Sequence, residues 1–356
     1  MSKALALYAG PKALAHIKEH GLNQEQVKLV VGASGGPKWF ALAGLDRYLC
    51  GEYFKQRSTQ LDTLGSSAGG WRFSCYAQND PLAAINRLID GYSHLSYPQN
   101  ANIEQVTMQS EQLLAHVLGN NGASEVVDNP LVKNNIIVAK SKGFTRYEQK
   151  TLQILGLVKS AFANRRDRKN LGKYYQRVIF SADTNNVPFD FNDGIDSKVV
   201  ALTNNNVSSA LQSTGAIPLI INGVKDIEGA GQGMYRDGGI IDYHFDQPFL
   251  PNSDDGLVLY PHFHSEFKPG WFDKYISNRF SNPAHFDNVL VLAPTSEFVA
   301  SLPYQKIPDR KDFQNLTEEQ RISYWKTVIK ASEQLANEFD AIVHSNEPWH
   351  HILPIS

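Results

Sequence analysis

Cysteine is scarce in this chain: Cys50 and Cys75 are the only two in 356 residues. Each lies in an apolar helical pattern, which suits buried thiols in a reducing compartment and excludes a disulfide framework. Two thiols alone build no metal cluster either. Long hydrophobic runs are missing as well, since no apolar stretch reaches the ~18 residues that a membrane-spanning helix needs. The opening stretch MSKALALYAGPKALAHIKEH has a brief apolar patch broken by Pro11 and Lys12, and so lacks the uninterrupted core of a secretory signal. Cytoplasmic residence is the resulting expectation. Charge of one sign is also lacking, with 34 Lys and Arg against 36 Asp and Glu. A net charge of -2 offers no general attraction to nucleic acid, and the balance points to a small-molecule substrate. Internal repeats and low-complexity linkers are absent.

What is present is ordinary globular material, 42% hydrophobic and 20% charged, enough for a large core. Short β-branched runs alternate with helical patterns: KLVVGAS (28–34), LDTLGSS (61–67), NNIIVAK (134–140), QRVIFSA (176–182), SKVVALT (197–203), GLVLYPHF (256–263) and DNVLVLA (287–293). Nearly continuous apolar strands separated by helices predict an α/β fold with a mostly parallel sheet covered on both faces. The stretch from about 80 to 175 reads as a mostly helical insertion. A helical C-terminal segment spans about 300–356, where Thr317 and Gln320 have the spacing of a capping box. A single domain, 1–356, is expected.

Gly65-Ser66-Ser67-Ala68-Gly69 fits G-x-S-x-G between a strand and a helix, the setting in which that motif forms a nucleophile elbow. A nucleophile at such a turn needs small neighbours, so that substrate and backbone can approach, and a helix N-terminus favours developing negative charge. The competing reading is a glycine-rich turn in which Ser66 or Ser67 merely caps the helix. The stretch VVGASGGPKWFALAGL is a second strand, glycine turn and helix. As a phosphate loop it fails, because counting from Gly32 puts Pro37 where glycine belongs and Trp39 where the magnesium-binding hydroxyl belongs. Backbone N–H groups at Gly35 and Gly36 could instead form an oxyanion hole, although tight strand–helix packing explains the glycines equally well. In MYRDGGIIDYHFDQPF, Asp237 precedes Gly238 and Gly239, a sequence that by itself is commonly a turn.

A serine nucleophile needs a base. His244, His262, His264, His350 and His351 are candidates, but none sits in a recognisable motif. His262 and His264 alternate on one strand face, with no third metal ligand signposted. A His-containing triad with one of His244, His262 or His264 stays open on the residues alone.

Taken in order, the glycine turn with its lysine (Ser34, Gly35, Gly36, Lys38), G-S-S-A-G at 65–69, SSALQSTGAIPLI at 208–220 and D-G-G at 237–239 resemble the patatin-like phospholipases. The resemblance covers about residues 28–250. It implies a three-layer α/β/α fold and a lipid acyl hydrolase that uses a Ser-Asp dyad without cofactor or metal. On that reading Ser67 is the nucleophile, Asp237 the base, and Gly35 and Gly36 the oxyanion donors. Ser34, Lys38, Gly65, Gly69, Gly238 and Gly239 complete the motifs. The family's oxyanion turn usually reads Asp-Gly-Gly-Gly-x-Arg-Gly. Here Ala33 and Ser34 replace its first two residues and Trp39 its last, so Trp39 is expected to pack on the helix or to line an acyl pocket. A non-catalytic acyl-binding module on the same scaffold is the third reading.

The expected partner is a lipid or other acyl ester, with peripheral membrane contact as an open question. Leu152, Leu155, Val158 and Phe162 recur at helical spacing ahead of Arg165, Arg166, Arg168 and Lys169. That pattern fits either a face resting on an anionic lipid surface or a core-facing helix followed by a solvated charged loop. GWFDKYISNRF (270–280) reads as an aromatic lid over an acyl site or as ordinary core.

Overall fold

In a computed structural model, which describes residues 3–98, 100–250 and 256–355, the chain forms a mostly parallel central sheet flanked by helices in three α/β/α layers. The strands are β1 (Leu5–Ala9), β2 (Val27–Gly32), β3 (Leu61–Ser66), β4 (Val132–Ser141), β5 (Tyr175–Ser181), β6 (Ser197–Ala201), β7 (Val224–Lys225), β8 (Met234–Asp237), β9 (Leu257–Pro261), β10 (Val289–Pro294) and β11 (Ile352–Pro354). Their spatial order is β11-β1-β10-β9-β2-β3-β4-β5-β6, with β8 on β4 and β7 on β8. Every apolar run read from the sequence supplies a strand. The central ones are buried along their length, as in Val30, Val31, Leu64, Ile136 and Ile137.

Four antiparallel contacts depart from the all-parallel pattern, β1 with β10, β4 with β5, β4 with β8 and β7 with β8. The β2–β3 and β3–β4 pairs at the centre are parallel. The N-terminal patch LALYA forms β1, paired on one side with β10 and on the other with β11. The stretch 80–175 contributes the helices Pro81–Ser93, Ile103–Leu118, Gly122–Asp128 and Lys150–Arg166, and also β4 itself. The described C-terminal segment holds the helices Asp312–Asn315, Glu318–Ala331 and Glu333–Val343, followed by β11. Its capping box is present: Thr317 N–H donates to Gln320 Oε1 at 3.0 Å, and Gln320 N–H to Thr317 Oγ1 at 3.3 Å.

The strand that positions the site is β4. Its first half pairs with β3, Ser66 lying opposite Ile137, and its second half pairs on the same edge with antiparallel β8, Asp237 lying opposite Val138. Strands β3 and β8 therefore run toward each other along β4, and their C-terminal ends meet at Ile137–Val138. Residues 170 positions apart in sequence are brought together by register alone.

Both cysteines are free and buried. Among the described residues no helix is long and apolar enough to cross a membrane. For the helix Lys150–Arg166, the core-facing reading of its apolar spacing does not hold. Leu155, Val158 and Phe162 are 41%, 45% and 69% exposed, while Gln153, Gly156, Ser160 and Asn164 are buried.

Candidate active site

Ser67 sits between β3 and the helix Ala68–Tyr76 with φ 53° and ψ −123°. For a non-glycine residue that conformation costs on the order of 1–3 kcal/mol, and the surroundings must hold it in place. They do so through close backbone approach. A Cβ on Gly65 would lie 2.5 Å from the Gly69 carbonyl carbon, and one on Gly69 would overlap the carbonyl oxygen of Gly32 in β2. Ser67 N–H donates to Thr214 Oγ1 at 2.9 Å, and the Thr214 hydroxyl donates to the Ile137 carbonyl at 2.5 Å. This ties the elbow to the point where β3 and β8 meet. Beneath it, Arg72 of the same helix forms a buried two-point ion pair with Asp46, Nε at 2.8 Å and Nη2 at 2.7 Å.

The Ser67 hydroxyl donates to Asp237 Oδ2 at 2.9 Å, and the other carboxylate oxygen, Oδ1, accepts the Gly239 N–H at 2.7 Å. Asp237 N–H donates to the Ala216 carbonyl at 3.1 Å. Thr214 and Ala216, both within the 208–220 fragment, therefore brace the serine and the aspartate respectively. Gly238 packs on the Ile137 carbonyl and Gly239 on the Ser34 hydroxyl, each too close for a side chain. Burial pushes the Asp237 carboxyl up to about 6, against the opposing pull of the Gly239 N–H, the Ser67 hydroxyl, Arg310 and Lys274. A carboxylate raised to that range is a far better proton acceptor than an ordinary one.

The glycine turn lies on the same side. Ser34 Oγ bonds Ser66 Oγ at 2.7 Å, Ser66 Oγ bonds the Asp242 carbonyl at 2.6 Å, and Ser34 N–H donates to the Tyr243 carbonyl at 2.9 Å. Ser34 is thus a brace that fixes the turn to β3 and to the loop after Asp237. Gly36 has φ +55° and opens the short helix Gly36–Leu42, so its N–H has no intrahelical acceptor. Among the described residues neither Gly35 nor Gly36 donates its N–H to the protein, and both face a pocket shared with Ser67 and Asp237.

Two cavities meet at Ser67. One, of about 580 Å³ including its mouth, is lined by apolar and aromatic side chains, among them Trp39, Trp71, Leu88, Tyr92, Leu113 and Ile217. Trp39 thus lines the apolar cavity. The other, about 360 Å³, runs past Gly35, Asp237, Tyr243, Trp271 and Arg310. The 270–280 stretch therefore places Trp271 at this second cavity and not over the apolar one. Arg310 lines this second cavity, and Lys38 and Lys274 stand near it. Lys38 Nζ lies 3.4 Å from His264 Nε2, Lys274 Nζ lies 3.5 Å from the centre of the Tyr243 ring, and Arg310 Nη1 is buried without a hydrogen-bond partner among the described residues. Burial and the neighbouring charges of Lys38 and Arg310 bring Lys274 down to about 7.

No family model matches the sequence, and no curated protein matches it. Among solved structures, VipD from Legionella pneumophila aligns over 93% of this chain and 72% of its own, at 13% identity and a TM-score of 0.38. A likeness of that size leaves the chemistry to be argued from the site itself.

Ser67 forms no hydrogen bond with a histidine among the described residues. His244 accepts the Lys268 N–H on Nδ1, and His262 Nδ1 is engaged with the backbone of His264. Burial drives both imidazoles well below their ordinary range. Sequence reasoning missed Thr214, Lys274, Arg310 and the buried pair of Arg177 with Asp242, at 2.6 and 2.9 Å, which anchors the loop leaving Asp237. Their only sequence signal was proximity to a motif in the cases of Thr214 and Asp242.

Proposed function

We propose that the protein is a serine-dependent lipid acyl hydrolase of the patatin-like type, cleaving carboxylic esters through an acyl-enzyme on Ser67 with Asp237 as its base. The observation that carries this reading is the 2.9 Å hydrogen bond from Ser67, held at positive φ on a strand-to-helix elbow, to a buried carboxylate. In the first step the Ser67 hydroxyl attacks the ester carbonyl and its proton passes to Asp237. The tetrahedral oxyanion is stabilised by the N–H groups of Gly35 and Gly36, with the N-terminus of the helix Ala68–Tyr76 adding favourable potential. The alcohol or lysolipid leaves with the proton from Asp237. A water then attacks the acyl carbon as its proton passes to the same carboxylate, and the bond to Ser67 Oγ breaks as that oxygen takes the proton back from Asp237, releasing the acid.

The two cavities support a division of the substrate. The apolar one accommodates the acyl chain. Lys38, Lys274 and Arg310, which form no ion pair with a carboxylate among the described residues, suit an anionic group on the leaving side, as in a phospholipid.

Turnover of p-nitrophenyl butyrate tests this reading. Ser67→Ala and Asp237→Asn are expected to lose at least about 10³-fold in kcat/KM, while His244→Ala, His262→Ala and His264→Ala, if folded, retain activity within a few-fold. Wild-type rates from Ser67→Ala, or collapse in a folded histidine variant, would overturn it.

A further inference from the structure

A helix on the surface of a soluble protein turns its apolar stripe inward and its polar face to water. The helix Lys150–Arg166 does the reverse. Its buried residues are Gln153, Gly156, Ser160 and Asn164, and each has a reason to be inside. Gln153 donates to the Tyr147 carbonyl at 3.1 Å and accepts the Leu219 N–H at 2.8 Å. Gly156 lets the helix lie against the backbone of Thr145. Ser160 bonds the Gly156 carbonyl at 2.8 Å, and Asn164 donates to Asp273 Oδ1 at 2.7 Å. The polar face is therefore locked inward, and Ile154, Leu155, Val158 and Phe162 face out, with Phe162 69% exposed and the neighbouring Tyr275 82% exposed. An apolar groove of about 920 Å³ runs between Val158, Phe162, Trp271 and Tyr275. A contiguous exposed apolar patch of this kind marks an interaction surface.

The charges around it select the partner. Residues 142–166 hold six cations, Lys142, Arg146, Lys150, Lys159, Arg165 and Arg166, and one carboxylate, Glu148, which is engaged 2.9 Å from Arg236. Lys159 lies over the Phe144 ring and Arg146 over the Tyr147 ring, at 4.6 and 4.9 Å, an arrangement in which cations stand at the rim of apolar side chains. Two copies meeting through this face would set cation against cation. A bilayer with anionic headgroups satisfies both halves at once. The patch is also continuous with the site, because Trp271 lines both the groove and the cavity beside Asp237.

We propose that this face seats on the interface of an anionic lipid bilayer, with Leu155, Val158, Phe162 and Tyr275 below the headgroups, Lys159, Arg165 and Arg166 at the phosphate level, and the cavity mouth at Trp271 turned to the membrane. The binding surface stands on its own observations. Its role in delivering substrate rests on the acyl-hydrolase reading.

The test is co-sedimentation of Ser67→Ala protein, chosen so that no turnover alters the lipid, with vesicles of phosphatidylcholine alone or with 30% phosphatidylserine. Binding is expected to require phosphatidylserine and to weaken in 0.5 M NaCl. Phe162→Ser should lower vesicle affinity by at least about tenfold, and Arg165→Gln and Arg166→Gln by about fivefold each. Added to the wild-type background, these changes should leave the melting temperature unchanged and the turnover of a water-soluble ester within twofold of the parent's. No binding to phosphatidylserine vesicles, equal binding by the variants, or a dimer that Phe162→Ser converts to monomer would each overturn the proposal. If vesicles bind as expected but no ester is cleaved, it is the hydrolase reading that fails.

Discussion

The ionisation of Asp237 gives the proposed mechanism its most specific signature. An ordinary carboxylate titrates near 3.8, whereas burial holds this one at about 6. A base must be deprotonated to act, so kcat/KM should fall tenfold per pH unit below about 6 and reach a plateau above about 7. Lys274, itself near 7, is one of the charges that favour the ionised carboxylate. Lys274→Met removes that charge, and the limb should move up by as much as about one unit. The assay is kcat/KM for p-nitrophenyl butyrate between pH 4.5 and 8.5 at low substrate, repeated at two temperatures. Carboxylate ionisation carries little enthalpy, so the limb should barely move with temperature, unlike one belonging to imidazole. A limb near 4, a downward shift in Lys274→Met, or a strong temperature dependence would refute the reasoning.

Asp237→Asn should be inactive yet more stable at neutral pH. The folded value lies above the unfolded one, so the stability present below about 3.8 is lost as pH rises through about 6, by up to about 3 kcal/mol. Urea unfolding should show the variant's advantage growing from about half of that at pH 5 to its full value at pH 8. Gly69→Ala drives a methyl into the Gly32 carbonyl and should cost at least about 3 kcal/mol, read as a lower urea midpoint. Leu113→Trp narrows the apolar cavity, so p-nitrophenyl butyrate should be cleaved normally while longer esters lose about fourfold in kcat/KM for each methylene denied burial.

Much of this site could be read from the sequence because its geometry demands rare residues. An elbow that presses Gly65 and Gly69 against neighbouring backbone admits no side chains there, so the constraint is written locally as G-x-S-x-G. The sheet was legible for a similar reason, since strands buried on both faces become unbroken runs such as LVVG and IIVA. The antiparallel β4–β5 pair was not, because a buried strand is equally apolar in either direction. Lys38, Lys274 and Arg310 leave no pattern either: they converge from distant parts of the chain, and their meaning lies in the lack of a paired carboxylate among the described residues. The helix Lys150–Arg166 shows the sharpest limit. Period alone reveals that Leu155, Val158 and Phe162 share a face but not which way it points. The decision rests with Gln153, Gly156, Ser160 and Asn164, whose partners Tyr147, Leu219, Thr145 and Asp273 only the fold supplies.

The most direct test of the central claim is to treat the wild-type protein with a fluorophosphonate and locate the adduct by peptide mass spectrometry. The account expects one stoichiometric adduct on Ser67, lost in Ser67→Ala and slowed at least about a hundredfold in Asp237→Asn. An unlabelled protein, or an adduct on any other serine, would contradict it.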